Sequence, residues 1–303
     1  MKIFRNNSVI LSADIGGSHI SAAIVDPFIA EILPGSLLRR SVNAHSEAQD
    51  ILFTWTSALK SVIENSEKKP DYLSVSMPGP FDYKNGISLI KGMNKYESLY
   101  GISIKQVLAE ALGLSSDSIS FTNDAEAFLK GEAEHGAGRG FDRILGITLG
   151  TGLGSAIFCD GISEDKNLGS SAFNGCIAED FISTRGLLNY YKSLGGNRAE
   201  DIKALAELVS EDPAAGKAFN KLASWLSDFF ALHLPHYQSD LILIGGNISK
   251  ASHLFLPKLE RDLENKGIHI PIRIAELGEV AAKLGAAAHF KDKSIKFNPE
   301  HAN

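Results

Sequence analysis

Two cysteines in 303 residues, Cys159 and Cys176, are too few for a disulfide framework or for a metal site built on four thiolates. They read as reduced thiols of a cytoplasmic protein. No run approaches the ~18 consecutive apolar residues of a membrane span. The short apolar stretch after MKIFRNN is broken by Asp14 and makes a poor signal-peptide core. Positive charge is also scarce: 30 Lys plus Arg face 36 Asp plus Glu, a formal net charge of −6. Such a chain lacks the basic face needed to coat nucleic acid or an anionic membrane, so neither partner is expected. An anionic ligand must then be held by local donors. Tryptophan occurs only at Trp55 and Trp225, which read as core or interface anchors rather than ligand-stacking platforms. What is abundant is ordinary: 44% hydrophobic and 22% charged residues exclude a disordered chain. At roughly 150 residues per domain the length suggests about two domains.

An internal repeat gives the domains a shape. Residues 10–26, ILSADIGGSHISAAIVD, and 144–160, ILGITLGTGLGSAIFCD, match without a gap at an offset of 134. The identities are Ile10/Ile144, Leu11/Leu145, Gly16/Gly150, Ser21/Ser155, Ala22/Ala156 and Asp26/Asp160. Each copy is an apolar run, a glycine-bearing turn and a second apolar run, the signature of a β-hairpin. Two related domains that each open with the same hairpin are expected.

The remaining pattern alternates strands with helices, which predicts α/β architecture. Ile104, Val107, Leu108, Ala111 and Leu112 follow helical spacing, with a Ser103/Gln106 capping box and Gly113 as the stop. Strands are expected at 71–77, 119–122, 241–244 and 270–276, the first closed by Pro78 and Pro80. Helices are expected at 123–136, at 214–234 with Pro235 ending it, and at 279–290. From Lys291 the tail is polar and is expected to fray.

Three glycine turns carry the chemistry: DIGGSH at 14–19, LGTGLGS at 149–155 and IGGN at 244–247. Glycine admits close backbone approach, so consecutive amides can point at one anion, and the Ser18 and Thr151 hydroxyls add donors. None is a Walker A loop, and the first two join strand to strand, unlike a dinucleotide fingerprint. Asp14 beside the first turn would repel phosphate unless a water-bound Mg²⁺ lies between them; alternatively it bonds its own turn. Asn123-Asp124, between a strand and a helix, can orient a hydroxyl and accept its proton. The same pair is also an ordinary helix N-cap.

In this order the motifs resemble the ROK family of sugar kinases and sugar-sensing repressors, within the hexokinase and actin superfamily. DIGGSHI and ITLGTGLGS resemble its two phosphate motifs, and MPGPFD at 77–82 with GMN at 92–94 its sugar-side loops. TNDAEAFLKGE at 122–132 resembles its catalytic segment, LILIGGNIS at 241–249 its adenosine motif, and GEVAAKLGAAA at 278–288 its closing helix. The resemblance implies an α/β fold of two ribonuclease-H-like (actin-like ATPase) domains flanking a cleft and related by internal duplication. It implies a sugar-side domain at 1–122, a nucleotide-side domain at 123–290 whose closing helix (about 279–290) packs back on the first, and a polar tail at 291–303. It further implies ATP-dependent phosphorylation of a hydroxyl on a hexose or N-acetylhexosamine, with Asp124 as general base and Mg²⁺ as cofactor. Sugar contacts fall on Gly79, Asn94, Asn123, Asp124 and Glu179. Nucleotide contacts fall on Asp14, Gly16, Gly17, Ser18, Gly150, Thr151, Gly152, Gly154, Gly245, Gly246 and Asn247. A homodimer is expected. The repressor branch's N-terminal helix-turn-helix has no room before Asp14, so DNA binding is not.

The chain also departs from the family. Where members carry a Gly-Glu-x-Gly-His segment and then a CxCGxxGC cluster, this sequence reads DKNLGSSAFNGCIAEDFISTRG at 165–186. Asn167 and Ser170 fall near the positions of the Glu and His, and only Cys176 remains of the cluster. No structural zinc is expected, since one cysteine without a nearby histidine cannot form a three-thiolate, one-imidazole site. His19, His45, His135, His233 and His236 read as surface or packed histidines. The lost Glu and His also keep open a second function, a non-catalytic sugar- or nucleotide-binding sensor on the same fold.

Overall fold

The computed structural model describes residues 8–93 and 95–296. Two compact units form: one from the chain up to His135 together with the segment from Glu279, the other from Gly136–Gly278. In chain order the first unit holds β1 (Ile10–Ile15), β2 (His19–Asp26), β3 (Glu31–Ile32), β4 (Leu38–Ser41), α1 (Ala48–Glu64) and β5 (Tyr72–Met77). It continues with a small ribbon, β6 (Phe81–Asp82) and β7 (Ile87–Ser88), then α2 (Ile104–Leu112), β8 (Ile119–Asn123) and α3 (Asp124–His135). The second unit holds β9 (Arg143–Leu149), β10 (Leu153–Cys159), β11 (Ile162–Asp165), a ribbon of β12 (Ala172–Phe173) and β13 (Cys176–Ile177), and α4 (Thr184–Ser193). It is completed by α5 (Ile202–Glu207), α6 (Pro213–Tyr237), β14 (Leu241–Gly245), α7 (Leu256–Glu264) and β15 (Ile272–Ile274). The last helix, α8 (Val280–Lys296), returns to the first unit.

The two sheets share one topology. The first runs β3-β2-β1-β5-β8, with β4 also paired to β2, and the second β11-β10-β9-β14-β15. In each, the opening hairpin is antiparallel, a further antiparallel strand joins its second arm, and two parallel strands extend from its first arm. The repeated hairpins thus occupy equivalent sheet positions, which is the internal duplication. The gapless match needs one correction. Ile15 pairs with Ile20 across the first turn but Leu149 pairs with Leu153 across the second, so the second turn is one residue shorter. By strand pairing Ser21 and Ala22 correspond to Gly154 and Ser155, and the Ser21/Ser155 identity is one of composition, not of position.

Strand alternation divides the first sheet into two unlike faces. Leu11, Ala13, Leu73, Val75, Ile119 and Phe121 pack into one apolar core with Trp55 of α1 and Leu108 of α2. Trp55 sits edge-on to Tyr96 at 5.3 Å, as a core anchor should. The other face carries small hydroxyls. Ser12 Oγ donates to Lys283 O at 2.8 Å and Ser74 Oγ to Ala286 O at 2.7 Å, tying α8 to the sheet. Gly131 of α3 and Gly285 of α8 let those two helices meet backbone to backbone: a Cβ on Gly285 would lie 1.8 Å from Ala127 O.

This packing explains where the units part. The boundary expected after residue 122 would cut α3 away from α8, whereas α3 lies wholly in the first unit. The closing helix also outruns its expected end at 290. Lys291 Nζ donates to Pro27 O at 3.0 Å and Lys130 Nζ meets Asp292 at 2.7 Å, so the first part of the polar tail is held as helix. Residues 297–303 of that tail lie outside the described residues. Helix α2 is bounded as expected, with Ser103 accepting from Gln106 N and Gly113 at φ +65°.

Helix α6 corrects a stop signal. It begins with Asp212 capping Ala214 N and Pro213 in its first turn, and it runs past Pro235 to Tyr237. In the last turn proline costs only one amide donor, and Gln238 then ends the helix in the left-handed region at φ 49°. Trp225 on this helix is buried against Phe181 and Tyr190. His233, also on α6, is buried beside Phe229, with Nε2 3.2 Å from Ser171 Oγ. Burial, then the charge of His236, hold its pKa below the ordinary 6.5. A histidine whose folded pKa is depressed contributes stability that is lost as pH falls below about 6.5 toward the folded value. Melting temperature should therefore fall between about pH 7 and pH 5, and His233→Gln should flatten that fall; parallel parent and variant curves would refute the assignment.

Candidate active site

The first unit gathers its candidate residues at the carboxyl ends of three adjacent parallel strands. Asp14 of β1 pairs in register with Ser76 of β5, and Met77, the last residue of β5, with Asn123 of β8. Ligands of open α/β sheets sit at such strand ends. The Ser76 hydroxyl donates to Asp14 Oδ1 at 2.7 Å. The turn after β1 is closed by Gly16 N donating to His19 O at 2.9 Å, and Gly17 and Ser18 are exposed at its tip. Tyr96 supports it from below: its hydroxyl donates to Gly16 O at 2.6 Å, and burial raises that hydroxyl's pKa well above the tyrosine norm, so it stays a donor.

At the end of β8 the two readings of Asn123-Asp124 separate. Asn123 is the cap, its Oδ1 accepting from Ala125 N at 2.8 Å and Glu126 N at 3.2 Å. Asp124 is the first residue of α3, only part-buried, with Oδ1 also 2.9 Å from Ala125 N. Its carboxylate stands at the positive end of a helix, where negative charge is favoured. Tyr83, which the sequence reading passed over, organises this corner. Its hydroxyl donates to Met77 O at 3.1 Å and accepts from Asn123 Nδ2 at 3.2 Å, and it lies against Gly79, where a Cβ would sit 3.3 Å from it. No motif marks a lone tyrosine after MPGPFD, so only tertiary geometry finds it. Asn94 lies outside the described residues.

In the second unit the other two glycine turns adjoin. Gly150, Thr151 and Gly152 form the turn between β9 and β10, with Gly150 N donating to Gly152 O at 3.0 Å and Gly154 next along β10. Gly245 ends β14 in register with Thr148 of β9. Gly246 must be glycine twice over: its φ is +87°, and a Cβ would meet Leu149 O at 2.3 Å. Exposed Asn247 follows, its Oδ1 accepting from Lys250 Nζ at 3.1 Å. Glu179 is placed on the second turn: its Oε2 accepts from Leu153 N at 2.9 Å, and the carboxylate packs directly on Gly152. Asn167 and Ser170, in the substituted segment, bond to each other at 3.1 Å.

Lys283 of α8 was not singled out by sequence. It is fully buried, and its Nζ donates to Glu279 O at 2.6 Å. Burial lowers its pKa, and Asp14 is the strongest of the charges that pull it back up.

Residues 10–293 match the ROK family. The chain belongs to that family. A curated relative is the N-acetylgalactosamine kinase AgaK of a Shewanella species, 25% identical over 94% of this chain and 98% of its own. The ROK glucokinase of Streptomyces griseus, solved with glucose and AMPPNP, shares the fold at a TM-score of 0.78, with 24% identity over 94% of this chain and 100% of that one. A ROK transcriptional regulator, a homologue of the E. coli MLC protein, also shares it at 0.77, with 18% identity over 95% of this chain and 79% of that one. The ROK fold is the actin-like ATPase fold of two α/β domains, and each sheet described above is the core of one of them. Among the described residues no helix is long and apolar enough to cross a membrane.

Proposed function

We propose that this ROK protein transfers the γ-phosphoryl group of ATP to a hydroxyl of a hexose or N-acetylhexosamine. The observation that carries the proposal is the convergence of Asp14, Gly79, Asn123 and Asp124 at neighbouring strand ends of one sheet, with Asn123 capping the helix that Asp124 begins. Gly79 and Asn123 hold the sugar, and Asp124 takes the proton of its attacking hydroxyl. The new oxygen–phosphorus bond forms as the bond from the γ-phosphorus to the bridging oxygen of ADP breaks, and the proton on Asp124 then passes to water. The turns at 14–18 and 150–154 supply amides and hydroxyls to the phosphates, and Gly245, Gly246 and Asn247 adjoin the nucleoside.

Mg²⁺ suits this donor set. Ser76 engages only Oδ1 of Asp14, leaving Oδ2 for a cation whose other ligands are waters and phosphate oxygens. When bound, it neutralises phosphate charge. A cytoplasmic homodimer belongs to the same reading; sedimentation of a monomer at micromolar concentration would remove that part.

Two measurements test the core of it. ADP release should appear across part of a panel of hexoses, N-acetylhexosamines and ketoses. A silent panel with measurable sugar or ATP binding would favour the sensor, a reading supported by the Asn167–Ser170 pair, which offers no ionisable contact in the substituted segment. Second, Tyr83→Phe deletes both hydrogen bonds that hold Asn123 and Met77, each worth ~0.5–1.5 kcal/mol. The sugar KM should rise about three- to tenfold with kcat nearly kept. An unchanged KM would detach Tyr83 from the sugar side.

A further inference from the structure

The backbone groups of the turn between β9 and β10 fall into two sets. Gly150 N donates to Gly152 O at 3.0 Å, and Gly150 O accepts from Thr184 N, the first amide of α4, at 2.8 Å. Leu153 N donates to Glu179 Oε2 at 2.9 Å. Thr151 N and Gly152 N have no partner among the described residues, and Thr151 is exposed. These two successive amides and the Thr151 hydroxyl are what the turn can offer an anion. Leu153 is buried, and its amide needs an acceptor at the point where β10 begins. Glu179 is built to be that acceptor. The residue before it, Ala178, is fully buried, with its amide donating to Ser171 O at 3.0 Å and its carbonyl accepting from Ile182 N at 2.9 Å. The acid after it, Asp180, is engaged elsewhere, with Arg185 at 2.9 Å. Gly152 does not need to be glycine for its own backbone, since its φ lies outside the left-handed region. A Cβ there would lie 2.5 Å from Glu179 Oε2, so the side chain of Glu179 is what keeps that position bare.

We infer that Glu179 is a positioning residue for the second phosphate turn, not the sugar contact that the family resemblance makes of it. Its carboxylate holds Leu153 N and so sets the turn in which Thr151 N, Gly152 N and the Thr151 hydroxyl face a phosphate. That consequence for phosphate rests on the kinase reading. The hold needs an oxygen acceptor rather than a negative charge, because the donor is a neutral amide. A charge so close to bound phosphate is, if anything, unfavourable to it.

Calorimetry on the full chain tests it, with MgATP as one probe and glucose or N-acetylgalactosamine, whichever the parent binds, as the other. Glu179→Ala should weaken MgATP about five- to tenfold, the loss expected for one hydrogen bond to a charged acceptor, while sugar affinity stays within about twofold. Glu179→Gln keeps an acceptor oxygen and should bind MgATP at least as well as the parent. Gly152→Ala should push the carboxylate off Leu153 N and match Glu179→Ala, and the double variant should be no worse than either single one. Additive losses, equal loss of both ligands, or loss of sugar affinity alone overturns the positioning role. Amide hydrogen exchange gives a readout that needs no ligand: the Leu153 amide should exchange about tenfold faster in Glu179→Ala and at the parental rate in Glu179→Gln, with β14 unchanged in both. Unchanged exchange at Leu153 overturns the inference. A parent that binds no MgATP, but whose Leu153 amide depends on Glu179, would refute the kinase reading and leave the hold on the turn intact. A parent that binds MgATP equally well with and without the Glu179 side chain would do the reverse.

Discussion

Asp124→Asn should lower turnover by ~10²–10⁴-fold on whichever sugar the parent phosphorylates, with substrate affinity much less affected. The size follows from losing a single general base; the selectivity follows from what Asn retains. Its amide oxygen still accepts from Ala125 N, as Asp124 Oδ1 does at 2.9 Å. The cap of α3 is not at stake, because Asn123 Oδ1 holds Ala125 N and Glu126 N. Stability should stay close to the parent, since a charge favourable to the helix start is worth only ~0.3–1 kcal/mol. Turnover and melting temperature measured together separate chemistry from folding. Near-parental turnover on a confirmed substrate would eliminate Asp124 as base and leave the mechanism without one.

Gly285→Ala should be among the most damaging single methyl additions in the chain. Helix propensity alone predicts a gain of about 1 kcal/mol, because glycine is a poor helix interior residue. Packing decides against it. The added Cβ would lie 1.8 Å from Ala127 O and 2.7 Å from Gly131 N, and neither atom can rotate away. Helices α3 and α8 must separate, breaking the hydroxyl ties of Ser12 and Ser74 to α8. A net loss of about 3 kcal/mol is expected, or a melting temperature lower by roughly 5–10 °C. Gly131→Ala should behave alike, since its Cβ would meet Ala281 O at 2.1 Å. Gly216 in α6 is the control: its nearest neighbour is Val209 Cγ1 at 3.9 Å, so Ala there should stabilise by about 0.5–1 kcal/mol. A neutral Gly285→Ala would mean that α8 does not dock as described.

These two outcomes mark different degrees of legibility. Asp124 could be nominated from sequence because the pair it belongs to leaves a local signature: two polar residues between a strand and a helix, in order with three glycine turns. Which of the pair caps the helix was not readable, since Asn and Asp cap almost equally well and only backbone direction chooses. Tyr83 and Lys283 were invisible for a related reason. A lone tyrosine or lysine has no spacing to betray it, and a lysine is presumed exposed until a fold closes over it. Glu179 could be nominated from sequence, but its bond to Leu153 N could not, because 26 residues separate them in the chain.

What the amino-acid order determined by itself was local. It set the two hairpins through glycine between apolar runs, the bounds of α2 through Ser103 and Gly113, the alternation of strand and helix, and the order of motifs that places the chain among ROK proteins. Tertiary structure decided the rest. It shortened the second turn by one residue and slid the return strand against its copy. It carried α6 past Pro235, where a lost amide in a final turn costs little. It joined α8 to α3 and so moved the division between the units to His135. The physical reason is common to these cases: hydrogen bonds and turns act between neighbours in the chain, whereas the contacts at Gly131, Gly285, Ser12 and Ser74 join segments far apart in sequence. Only the folded backbone brings those segments within reach of one another.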